Sequence, residues 1–195
     1  IRELMETFIV ISYAYLLGSI PFGFILTKIF IKKDIRKSGS GNIGASNVLR
    51  SGGKFLGLLT LLLDGAKGYF AILITLNNFQ DYLILSASLT FMGHLFPIWL
   101  KFKGGKGVAT YLGILFAINF ILAIVFILTW IIIILISKYP SLASLVSTFI
   151  VLIVNFIFNG MYQSFILILF FLLILYSHKS NIQRLKAGTE NKINL

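Results

Sequence analysis

Ile114-Leu-Phe-Ala-Ile-Asn-Phe-Ile-Leu-Ala-Ile-Val-Phe-Ile-Leu-Thr-Trp-Ile-Ile-Ile-Ile-Leu-Ile136 is interrupted only by the polar side chains of Asn119 and Thr129. An apolar run of this length reads as membrane-spanning, because about 20 residues of helix cross the hydrocarbon of a bilayer. The whole chain agrees: 58% of its 195 residues are hydrophobic and 12% are charged, against about 25% charged in a soluble domain. A transmembrane barrel would instead show alternating segments of about 10 residues, and no such period is present. The absence of Cys excludes disulfides, thiolate metal sites and a Cys nucleophile.

Working outward from that run, seven apolar segments are predicted, at about 4–27, 54–77, 82–100, 107–119, 120–137, 141–158 and 160–177. The first reads as a span and not a cleaved leader, since Glu3 and Glu6 flank it and no small-residue cleavage site follows. The net charge of +11 is gathered between the apolar blocks, which argues against nucleic acid. Lys28, Lys32, Lys33, Arg36, Lys37, Arg50 and Lys54 lie in one stretch, Lys101, Lys103 and Lys106 in a second, and Lys179, Arg184, Lys186 and Lys192 in a third. The loop at 77–82 has no cation. Cations collect in cytoplasmic loops, so the expected topology has the N-terminus outside and the C-terminus inside. Residues 107–177 must then cross an even number of times. Two crossings would be too long for a bilayer even with tilt, so four are expected, some of them short or broken. The expectation is an all-α, single polytopic membrane domain, 1–195, of about seven transmembrane helices, with cytoplasmic motifs at 34–50, 101–110 and 178–191.

The first motif holds Gly39, Ser40, Gly41, Asn42, Gly44, Ser46, Asn47 and Arg50. Glycines permit left-handed turns and close approach of the backbone, successive bare amides form anion nests, and Arg50 brings a planar cation suited to phosphate. The second holds Gly104, Gly105, Lys106 and Gly107 ahead of an apolar segment, where a helix N-terminus favours an anion. It lacks the spacing of a Walker loop. In the third, His178, Asn181 and Arg184 recur at intervals of three and would share one face of a continued helix. The plain alternatives are a solvated linker, a positive-inside anchor and an interfacial helix end. Asp64 and Lys67 lie inside the second apolar segment, where charge is costly and faces the protein interior; they pair with each other or support the first motif from behind. His94, Ser141 and Ser144 are weaker candidates.

Gly-Ser-Ile-Pro-Phe-Gly (18–23), Gly-Ser-Gly-Asn-Ile-Gly-Ala-Ser-Asn (39–47), Gly-Gly-Lys-Gly-Val-Ala-Thr (104–110), His-Lys-Ser-Asn-Ile-Gln-Arg-Leu (178–185) and Gly188-Thr-Glu190 together resemble the bacterial acyl-phosphate-dependent glycerol-3-phosphate acyltransferases, the PlsY family. Asp64-x-x-Lys67-Gly68 and Ser141-Leu-Ala-Ser144 also match, and Ser46 stands where the family usually shows Thr. The resemblance implies a seven-helix enzyme of the bacterial plasma membrane with its active site at the cytoplasmic face. It implies transfer of a fatty acyl group from acyl phosphate to the 1-hydroxyl of glycerol 3-phosphate, giving lysophosphatidic acid and inorganic phosphate in phospholipid synthesis. No cofactor or metal is expected, and six carboxylates leave little for a divalent site. Partners are the two substrates and membrane lipids, and the protein is expected to be monomeric. Arg50 and Lys106 would bind phosphate, with Arg184 as a further cation. Ser40, Asn42, Ser46, Asn47 and the glycine amides would line the pocket. His178 and Asn181 would position the hydroxyl, with either His178 or a substrate phosphate taking the proton. A transporter would place its polar groups at the bilayer midplane, and a scaffold would leave the glycine and cation pattern without a purpose.

Overall fold

The computed structural model describes residues 1–193, with backbone alone at Tyr162 and Gln163. Its ordered elements are helical, and they fall into two compact units, Ile1–Ile118 and Asn119–Leu195.

The first unit is built around α4, Lys54–Asn78, which packs on the other five helices: α1 (Arg2–Ser19), α2 (Phe22–Ile31), α3 (Ala45–Gly52), α5 (Leu83–Leu95) and α6 (Val108–Ile118). Helices in a membrane gain little from burying apolar side chains against one another, so small residues that admit close backbones decide where they meet. A Cβ on Gly113 of α6 would strike the Gly65 carbonyl of α4, and one on Gly18 of α1 would strike the Thr90 carbonyl of α5. The first predicted span is one apolar stretch in two helices. Pro21, which has no N–H to donate, separates α1 from α2 with a 41° bend. The third ends early for the same reason: α5 stops before Pro97, and a short turn at Ile98–Leu100 leads into the second motif. Ahead of the third helix, Leu26, Ile35, Ile43, Val48, Leu56 and Leu100 form one buried apolar cluster. This cluster fastens the first motif to α4 and to the entry of the second motif.

The second unit contains α7 (Phe120–Ser137), α8 (Pro140–Ser177) and α9 (Lys179–Lys186). Asn119 caps α7 by accepting from the Leu122 N–H at 3.1 Å. Lys138 ends it in a left-handed conformation, and Pro140 starts α8. At Gly160, φ is 76° and ψ is −176°, which no helix tolerates. The chain doubles back there. Asn155 donates to Ser164 Oγ at 2.9 Å, and the Phe149 and Phe171 rings lie 5.4 Å apart, so both pairs straddle Gly160. In an unbroken helix Phe149 and Phe171 would stand about 33 Å apart.

Four helices are long and apolar enough to cross a membrane, six if each bent pair is one span, and Val108–Ile118 is a shorter apolar helix. These coincide with the seven predicted segments. The membrane assignment also explains the exposed face of α7, where Ile121, Leu128, Ile131, Ile132, Leu135 and Ile136 are uncovered by protein; a soluble helix keeps such residues on its core stripe.

Candidate active site

The first motif is a loop closed on one side chain. Asn47, at the start of α3, is buried. Its Nδ2 donates to the carbonyls of Ile35 at 3.2 Å, Ser38 at 3.0 Å and Asn42 at 2.7 Å, and its Oδ1 accepts from the Ser40 N–H at 2.9 Å. Gly39 sits against that amide at φ +56°, where a Cβ would lie 2.2 Å from Asn47 Oδ1. Asn42 Oδ1 accepts from the Gly44 N–H at 2.8 Å, turning the chain into α3. At the loop's start Arg36 donates to both Asp34 carboxylate oxygens, at 2.9 and 2.7 Å. These side-chain bonds hold the Asp34 carboxyl down at about 2. Asn42 and Asn47 therefore hold the loop in shape. Ser40, Ser46 and Arg50 remain exposed and, among the described residues, their side chains make no hydrogen bond or ion pair. An exposed guanidinium and two hydroxyls on a braced loop are groups held ready for an anion.

The second motif is anchored from beneath. Gly104 and Gly105 donate their N–H groups to the carbonyls of Leu95 at 3.0 Å and His94 at 3.1 Å. A Cβ at Gly105 would lie 2.1 Å from His94 Nε2, and one at Gly107, which has φ +81°, would strike the Phe91 ring. The chain thus passes over α5 at a height that only glycine permits, carrying Lys106, half-buried, between two buried glycines. Behind it Lys67 and Asp64 pair at 2.8 Å, with both side chains almost wholly buried. The two do pair, as the sequence suggested, and they reach further. Lys67 Nζ donates to the Ile20 carbonyl at 2.7 Å, which also accepts from the Phe22 N–H at 3.2 Å across the break at Pro21. The Thr110 hydroxyl donates to the Asp64 carbonyl at 3.0 Å.

In the second unit, His178 stands at the 61° bend between α8 and α9 and is buried. Its Nδ1 lies 2.9 Å from the Ile174 carbonyl. A carbonyl only accepts, so Nδ1 carries the proton, and in the neutral ring Nε2 holds the lone pair. Asn181 and Arg184 share the face expected of them, and both turn to Glu190. Glu190 accepts from Asn181 Nδ2 at 2.6 Å, Arg184 Nε at 2.7 Å and Ser141 Oγ at 2.8 Å. Burial raises the Glu190 carboxyl, but the hydrogen bonds from Asn181, Arg184 and Ser141 outweigh it and hold the carboxyl below its ordinary value. Ser144 Oγ instead donates to the Pro140 carbonyl at 2.8 Å and accepts from Trp130 Nε1 at 3.2 Å, joining α7 to α8. Glu190 is the site-shaping residue that sequence reasoning left out of its candidates. Its place after Gly188-Thr was visible, but its three donors come from positions that spacing alone does not connect.

A family model for glycerol-3-phosphate acyltransferase matches residues 8–188. The chain belongs to this family. It is 56% identical to a glycerol-3-phosphate acyltransferase of Pelagibacter ubique, over 96% of this chain and 98% of that protein. It is 46% identical to the one from Bartonella henselae, covering 96% and 92%. Two crystal structures of PlsY, an integral membrane glycerol 3-phosphate acyltransferase, superpose with TM-scores of 0.92 and 0.88 at 38% identity. The first, a glycerol 3-phosphate form, is matched over 96% of each chain; the second is a lysophosphatidic acid form. The chain is accordingly an integral membrane acyltransferase of this family; the first two motifs lie within the range the family model matches, and the third does up to Gly188.

Proposed function

We propose that this acyltransferase moves a fatty acyl group from acyl phosphate to the 1-hydroxyl of glycerol 3-phosphate, at the cytoplasmic face of a bacterial plasma membrane. The observation that carries the reading is the first-motif loop, whose frame is spent on its own backbone while Ser40, Ser46 and Arg50 stay unspent. It is supported by the PlsY structures, which are forms with glycerol 3-phosphate and with lysophosphatidic acid. The charge pattern supports seven crossings with the N-terminus outside and all three motifs inside.

An acyl phosphate is a mixed anhydride with a good leaving group. The glycerol hydroxyl oxygen attacks the acyl carbonyl carbon, the new ester C–O bond forms, the C–O bond to phosphate breaks, and inorganic phosphate departs. Such a donor needs orientation and charge stabilisation more than a covalent nucleophile. Arg50 and Lys106 hold substrate phosphate, with Ser40, Ser46 and the amides of Gly39 and Gly107 adding donors, whereas the amides expected of Gly41, Gly44, Gly104 and Gly105 are taken by Ser38, Asn42, Leu95 and His94. His178 and Asn181 are assigned to positioning the attacking hydroxyl. The proton goes to His178 or to a substrate phosphate, and turnover of His178→Ala separates the two: near-normal turnover removes His178 as the base.

The deciding assay is acyl transfer to glycerol 3-phosphate by purified protein in detergent, with acyl phosphate, acyl-CoA and acyl carrier protein compared as donors. Product from acyl phosphate alone is the expected outcome. Product from a thioester would keep the acyltransferase and overturn its donor.

A further inference from the structure

His94 belongs to none of the three motifs, yet it is the residue on which the second one rests. It is 3% exposed. On one side its Nε2 faces Gly105, so closely that no side chain fits there. On the other side its Nδ1 lies 3.7 Å from Asp64 Oδ1, too long for a hydrogen bond, and makes none among the described residues. Its own carbonyl receives the Gly105 N–H at 3.1 Å. Asp64 is fixed in turn by Lys67 at 2.8 Å, and Lys67 by the Ile20 carbonyl at 2.7 Å. The Asp64 carbonyl holds Thr110, in the first turn of α6 just beyond the motif. The loop Gly104–Gly107 is therefore held at both ends and from below by one buried assembly that draws on α1, α4, α5 and α6.

A purely structural ion pair would not need this placement. Burying Asp64 and Lys67 is costly, and well-packed apolar residues commonly replace such a pair at no loss of stability. What the pair and the ring do share is the loop. Lys106 is the cation of that loop, and its ammonium is only as well placed as the two glycine peptides before it. We propose that His94, backed by Asp64 and Lys67, is a positioning residue that sets the height of the Gly104–Gly105 turn and so the point at which Lys106 meets a substrate phosphate. This rests on the reading of Lys106 as a phosphate-binding group. Removing the ring opens a void under Gly105 into which the turn sinks, carrying Lys106 with it. An ammonium carried away from the phosphate loses a charge-assisted hydrogen bond, so binding of that substrate weakens.

The test compares wild type, Lys106→Ala, His94→Ala, His94→Gln, Gly105→Ala and the double variant Gly105→Ala with His94→Ala. For each, kcat and KM are measured for glycerol 3-phosphate and acyl phosphate, beside thermal unfolding in detergent. Lys106→Ala identifies the substrate whose KM depends on that ammonium. His94→Ala is expected to raise the same KM, by about tenfold or more, with kcat changed far less, and His94→Gln to restore most of it. Gly105→Ala is expected to raise that KM too, and adding His94→Ala to lower it again, because the smaller residue makes room for the new methyl. A merely structural role would lower the unfolding temperature without moving one KM selectively, and that outcome overturns the proposal. If Lys106→Ala moves no KM, the phosphate reading fails and the proposal with it. If Lys106→Ala moves a KM that His94→Ala leaves alone, only the positioning role falls. Should His94→Ala not fold, Gly105→Ala decides by itself, and an unchanged KM overturns the proposal.

Discussion

Asp64 and Glu190 each gather several polar groups around one carboxylate, and they do so in opposite ways. Asp64 finds Lys67 three residues on in the same helix, in the driest part of the first unit, where side-chain exposure is 3% or less for both. Glu190 lies on the tail after α9 and collects Ser141, Asn181 and Arg184 from two helices. Its side chain is 7% exposed, but its Arg184 partner is 34% exposed. For stability the buried pair is a matter of neutralisation, whatever it lends to the loop above it: either charge alone in that place is intolerable. The Glu190 cluster is a matter of assembly, because three donors lose their common acceptor if it goes. One carboxylate keeps a helix habitable inside the membrane; the other fastens the tail to the elements that carry the third motif.

The strongest way to break that contrast is Asp64→Leu, which leaves the Lys67 ammonium buried and unpaired. We expect a loss of about 3–5 kcal/mol, read as thermal unfolding in detergent, and recovery of most of it in the double variant Asp64→Leu with Lys67→Met. Equal losses in single and double variants would mean that the pair does more than neutralise. Glu190→Gln comes next, with an expected cost of about 1–3 kcal/mol for donors left poorly satisfied. Hydrogen exchange should show it first at residues 188–193, while α7 and the first half of α8 stay protected. Protection lost evenly across the second unit would make Glu190 a fold residue and not a fastener.

A smaller effect follows from pH. Glu190 is held below its ordinary value, so its contribution is fully present above the unfolded value of about 4.3. It is lost as pH falls from there through the lower folded value. Tail exchange in the wild type should rise over that window and stay level in Glu190→Gln. Asp34 gives the smallest response. Its carboxyl is held at about 2 by Arg36, but the pair sits at the surface, where ion pairs contribute little. Asp34→Asn should leave thermal unfolding at neutral pH unchanged within error.

Much of this protein was legible in advance, and the reasons are local. Apolar runs and the distribution of cations depend only on side-chain chemistry and helix rise, so the seven segments emerged within a few residues of the observed helices. Even the fold-back in α8 falls where the sixth predicted segment ends, at 158, and the seventh begins, at 160. The Asp64–Lys67 pair was legible because residues three apart share a helix face. The interior of the site was not. Asn47 looked like a pocket-lining amide, and it is the brace of its own loop; its partners at Ile35, Ser38, Ser40 and Asn42 come together only because the chain turns back on itself. His94 looked incidental, since nothing in Gly-His-Leu-Phe-Pro says that a glycine eleven residues later will be laid on its ring.

The sequence by itself determined that this chain lives in a membrane, where its helices run, and which three stretches gather its glycines, amides and cations. Those follow from composition, period and order, which need no knowledge of distant contacts. The tertiary structure decided which polar groups are consumed in holding the loops and which, like Ser40, Ser46 and Arg50, stay exposed. A hydrogen bond depends on positions within a few tenths of an ångström, and only the packed chain fixes those between residues as far apart as 141 and 190, or 20 and 67.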